Sequence, residues 1–139
     1  MKNFFKISAI IIFATNPLYA KNFFLQEGIS LFNNKKFEEA KFQFEKDIVL
    51  NPKSELSYLY LSKIFKNLNN KKLQEQNLNT VILLNPQNEE AILNLAKLKL
   101  DSADYKKSRE LNERLSSICN SFCSESKKLK IEIENLSNK

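Results

Sequence analysis

The chain has 139 residues, 42% hydrophobic and 27% charged, which allows one small domain or one short repeat array and excludes a disordered or multi-span membrane protein. It has no His and only 1 Gly, so Ser/His/Asp and Cys/His nucleophile systems are excluded, as are a phosphate-cradling loop and a dinucleotide fingerprint. The formal charge is +6, from 22 Lys+Arg against 16 Asp+Glu. Bases and acids are interleaved, so no nucleic-acid patch is expected and attraction to an anionic membrane surface should be weak.

Residues 1–20 read as a signal peptide. Lys2 and Lys6 supply a basic start, Ile7–Ala14 an apolar run too short to span a bilayer, and Ala20 a small residue at the cleavage point. The expected product is exported, periplasmic or secreted, and starts at Lys21 with 20 bases against 16 acids, or +4.

The remainder aligns with itself at an offset of 34. Asn51-Pro52 recurs as Asn85-Pro86. Phe24, Tyr58 and Ile92 share one column, and the small residues Gly28, Ser62 and Ala96 share another. Leu31 aligns with Phe65, and Phe44 with Leu78. In each unit two antiparallel helices cannot bury their apolar faces alone and must stack on neighbours. Gly28, Ser62 and Ala96 let the second helix of a unit approach the first, and Ala40, flanked by Phe37 and Phe44, answers from the other side. Pro52 and Pro86 stop the second helices. Asn33-Asn34-Lys35-Lys36 and Asn69-Asn70 are the turns within units one and two, with Asn expected to take the left-handed backbone in place of glycine.

On these residues, 21–121 resembles a tetratricopeptide repeat (TPR) array. The expected fold is an all-α solenoid of about three helix–turn–helix units, at 21–54, 55–88 and 89–121, with a capping helix and tail at 122–139. The units degrade along the chain. In unit two Gln74 replaces the small Ala40 and Lys71 replaces Phe37, so packing should loosen or Gln74 should rotate outward. In unit three Asn112 stands in the column of Phe44, and Asn120 in that of Pro52. In the last segment Leu129, Ile133 and Leu136 form a stripe, with Lys128–Glu132 and Lys130–Glu134 at pairing distance along the helix.

The resemblance implies a concave face lined by first helices, where a partner peptide or helix binds. The candidate contacts are Leu25, Ile29, Phe32, Leu59, Tyr60, Lys63, Leu93, Asn94 and Lys97, an apolar strip edged by lysines and amides. Tyr60 and Lys63 are expected to be exposed, whereas Leu25, Ile29, Leu59 and Leu93 can equally serve as core between first helices. The carboxylate clamp of the family's chaperone-tail binders is not expected, because Leu25, Ile29, Tyr60 and Glu90 break its pattern.

Glu38-Glu39 and Glu89-Glu90 start helices, where adjacent carboxylates diverge and complement the macrodipole instead of converging on a substrate. Cys119 and Cys123 suit a bridge across a turn at Asn120-Ser121 that pins the last helix, while a redox-active pair lacks the Cys-x-x-Cys spacing. No metal, cofactor or small-molecule substrate is implied. The function expected is a non-catalytic adaptor or scaffold with a protein partner. The alternative is a self-assembling envelope subunit using Phe23, Phe24 and Phe32 at an open N-terminal face, and the remote one a thiol redox factor.

Overall fold

The computed structural model describes residues 17–137, with side chains from residue 23 onward. The expected leader lies outside the described residues except for the backbone of 17–20, and so do residues 138–139 of the tail. Seven α-helices fill the described chain: α1 Pro17–Asn33, α2 Phe37–Leu50, α3 Glu55–Asn67, α4 Lys71–Leu84, α5 Glu89–Leu100, α6 Tyr105–Ile118 and α7 Cys123–Ser137. Each packs mainly on its sequence neighbours, and α1 reaches α3 as α5 reaches α7. This is a stack of helix pairs with no sheet among the described residues. None of these helices is long and apolar enough to cross a membrane.

The 34-residue period governs the backbone itself. The turn inside each pair contains one left-handed residue, Lys35, Asn69 and Ala103, at φ 60°, 54° and 58°. Asn69 takes this conformation as expected of an asparagine, but in unit one the chain places Lys35 there, one residue beyond Asn34. Asn34 instead donates its side-chain amide to the Ser30 carbonyl at 3.0 Å. Helix starts are capped where the sequence supplies short acceptors: Asn70, Asn88 and Asp104 accept from the N–H three residues on.

The small-residue column works by contact. A Cβ on Gly28 would lie 2.7 Å from the Phe44 ring, so only glycine admits that ring. At the same point of unit three the Ser108 hydroxyl donates to the Ala96 carbonyl at 2.8 Å. Phe44, Ala40, Ile64, Leu61 and Phe65 make one core cluster, and Phe37 packs against its edge. Leu78, Val81, Ile92, Ala96, Leu111 and Leu115 belong to a second, which α7 completes with Leu129 and Ile133, while Tyr58 packs against it. Leu136, the third member of the expected stripe, is exposed.

Gln74 does not rotate outward. It stays buried and its side chain helps line the concave face. Asn112 is buried as well, its amide donating to the Ser126 carbonyl at 3.0 Å and its oxygen accepting from the Ser126 hydroxyl at 3.0 Å. A polar pair replaces the aromatic contact of unit one, satisfied on both sides as a buried amide must be.

Candidate functional site: the concave groove

The first helices α1, α3 and α5 line the concave face, and two adjoining clefts lie along it. One, of about 290 Å³, is bounded by Phe32, Ser62, Lys63, Lys66, Asn67, Gln74, Glu90 and Asn94. The next, of about 160 Å³, adds Asn69, Lys71, Lys97 and Asp101. Spacing explains the lysines: Lys63 and Lys97 are 34 apart and hold the same place on α3 and α5, and Lys66 and Asn67 follow Lys63 by one helical turn.

The apolar strip expected from sequence divides in two. Leu59 and Leu93, each 4% exposed, take the core role of the two left open for them and are not available as groove contacts: they fill the space between neighbouring first helices. Leu25, Ile29 and Phe32 are half-buried and pack against the unit-one core. Tyr60 is also less free than expected. Its ring stacks on Phe44 at 5.0 Å with planes 12° apart and meets Phe32 edge-on at 5.1 Å. Lys63 is half-buried, sits 4.9 Å above the Tyr60 ring and pairs with Glu90 at 2.8 Å. Asn94 and Lys97 line the clefts.

Lys66, Lys71, Asn69 and Gln74 are groove residues the sequence reading left out. Lys71 donates to the Asp101 carbonyl at 3.0 Å. Lys66 and Lys97 make no ion pair among the described residues. The groove therefore has four lysines facing Glu90 and Asp101, with side-chain amides between them. It is a polar, net basic trough, not the apolar strip of the sequence reading.

The paired carboxylates have separate structural partners. Glu38 pairs with Lys41 at 3.1 Å and Glu39 with Lys36 at 3.4 Å, both exposed. Glu89 turns away from Glu90, toward the loop before α7. Among the described residues no group of three His, Cys, Asp or Glu side chains could hold a metal ion. The sulfurs of Cys119 and Cys123 lie 2.06 Å apart, with their Cα atoms 5.3 Å apart across the α6–α7 turn.

No family model matches the sequence, and no curated protein resembles it. Solved structures do. The TPR2B domain of yeast Sti1, in a pHsp70 complex, superposes with TM-score 0.77 at 15% identity, covering 85% of this chain and 98% of that one. The type III secretion chaperone SycD of Yersinia enterocolitica, bound to a peptide of the translocator YopD, gives 0.74 at 12% identity over 84% and 92%. The TPR domain of Sgt2 from Aspergillus fumigatus gives 0.73 at 14% over 86% and 83%. The fold is that of an α-solenoid of helix pairs, and within that class it is the tetratricopeptide-repeat fold.

Proposed function

We propose that this chain is a non-catalytic protein-interaction module, an adaptor or scaffold, which holds an extended acidic segment of a partner along its concave groove. The carrying observation is the trough of Lys63, Lys66, Lys71 and Lys97 with Asn67, Asn69, Asn94 and Gln74 between them. Lysines attract carboxylates at distance, and the amides can pair with an extended main chain. That three of the structural neighbours carry peptides in their complexes agrees with this reading. The signal-peptide-like start supports a place for the module in the bacterial cell envelope.

The test is fluorescence anisotropy with a labelled glutamate-rich dodecapeptide and its glutamine counterpart, on the full chain. The acidic peptide should bind, weaken as salt rises, and lose tenfold or more, on the order expected for two charge contacts, in a Lys66→Glu/Lys97→Glu variant. Lys53→Glu, on the exposed α2–α3 loop, is the control. Equal binding of both peptides, or of both variants, would remove the groove from the reading.

A second reading, self-assembly, has its own observation. Phe23 is 60% exposed and Phe42 55%, with Phe24 beside them at the N-terminal end. Phe32, expected on that face, packs instead against Phe37 and Tyr60 on the inner side. Light scattering across a dilution series separates the readings: a monomer at every concentration disposes of the second.

A further inference from the structure

The first residue of one helix pair fastens the turn that leads to the next. Glu55, at the start of α3, accepts from the side-chain amides of Asn85 at 3.1 Å and Asn88 at 2.5 Å, in the turn before α5. Glu89, 34 residues later at the start of α5, accepts from the backbone N–H groups of Asn120, Ser121 and Phe122 at 2.8, 3.0 and 2.9 Å, in the turn before α7. The same device is thus used twice, at equivalent positions of successive units. The two turns differ in one respect. Pro86 stiffens the first, while the corresponding position of the second is Asn120, which leaves the backbone freer. Here Cys119, which caps the C-terminus of α6, and Cys123, which begins α7, bracket that residue with their sulfurs at bonding distance.

We infer that the Cys119–Cys123 bridge stands in for the missing proline and, together with the Glu89 clasp, forms a thiol-sensitive latch that holds the cap helix α7 on the third unit. Both cysteines are half-exposed, so a small thiol or dithiol reaches them. Reduction breaks the one S–S bond. The dithiol supplies two electrons and two protons, Cys119 and Cys123 become thiols, and the reductant becomes its own disulfide. The Glu89 clasp and the buried Leu129, Ile133 and Ser126 remain, so reduction loosens α7 without detaching it. Glu89 is also held below its ordinary titration range by the Phe122 amide first, then those of Asn120 and Ser121, as a carboxylate bonded in its charged form should be.

Hydrogen exchange by mass spectrometry on the full chain, with and without dithiothreitol, tests the latch. In the reduced chain α7 should exchange on the order of tenfold faster, the scale of the entropy released by opening a very short loop. Helices α1–α4 should be unchanged. A Cys119→Ser/Cys123→Ser variant should match the reduced chain whether or not dithiothreitol is present, and Glu89→Gln should accelerate α7 further in the reduced state. The inference is overturned by equal α7 exchange in the two redox states, by acceleration spread evenly over all seven helices, or by a thiol titration that finds both cysteines free in the chain under air. The readout does not depend on any partner of the groove.

Discussion

At the N-terminal end of the solenoid, Phe23 and Phe42 stand more than half exposed, and the Lys46 ammonium lies 4.1 Å from the Phe42 ring and 5.3 Å from that of Phe24. Further along the same face of α2, Val49 is 79% exposed. At the C-terminal end, α7 turns Leu129 and Ile133 inward and exposes Lys127, Lys128, Lys130, Glu132 and Glu134, with Ile131 the large apolar side chain left 59% exposed among them. Both ends are first- or second-helix surfaces of one repeat, so the contrast is a matter of side chains. Lys130 shows how it is made. It falls 34 residues after Ala96, in the column of Gly28, Ser62 and Ala96, where every other unit has a small residue that admits a second helix. Lys130 is exposed there, among the other charged side chains on the outer face of α7.

The sharpest way to break that contrast is to exchange the two ends' residues in this one column. Gly28→Val should destabilise by about 2–3 kcal/mol, because its Cβ meets the Phe44 ring at 2.7 Å in a fully packed core, outweighing the better helix propensity of valine over glycine. Lys130→Ala, at the exposed equivalent, should stay within about 0.5 kcal/mol of the parent. Urea midpoints for both variants check this. Equal costs at the two positions would mean that the column is not a packing contact at all.

A smaller effect is expected at the C-terminal turn as acid is added. Glu89 titrates below the ordinary glutamate value in the folded chain, chiefly through the Phe122 N–H. Its contribution is therefore complete above the unfolded-state value and is lost as pH falls through the lower folded one. In NMR titrations the Asn120, Ser121 and Phe122 amides should shift together with a midpoint under 4.5, and Glu89→Gln should abolish that step. A midpoint above 4.5 would show that the clasp does not favour the charged form.

Much of the fold could be read from the 34-residue period, because the columns that repeat are those that touch: Gly28 against Phe44, Ser108 against the Ala96 backbone. The groove was less legible. Period and polarity alone do not say that Leu59 and Leu93 are shared between neighbouring first helices, whereas Leu83, apolar and on a second helix, is 81% exposed. Lys66 was within reach, one turn after Lys63 on the same helix. The repetition of Glu55 as Glu89 was equally visible, but its meaning needed the loops in three dimensions. The Asn112–Ser126 pair was not legible, since each residue alone looks like a defect in its column and only their contact makes them a match.

The smallest expected effect bears on what the N-terminal end is for. Phe42→Ala removes a ring that is 55% exposed and has the Lys46 ammonium 4.1 Å from its centroid. An exposed cation–π pair contributes about 0.5–1 kcal/mol, so the loss in a dilute monomer should not exceed that range. The cost should also be the same at all protein concentrations. If a second copy of the chain covers this face, the parent's stability will rise with concentration by mass action while that of the variant will not, and the measured cost will grow accordingly. Denaturation midpoints of parent and Phe42→Ala, taken in parallel at low and high micromolar chain, therefore separate a bare aromatic end from an occupied one.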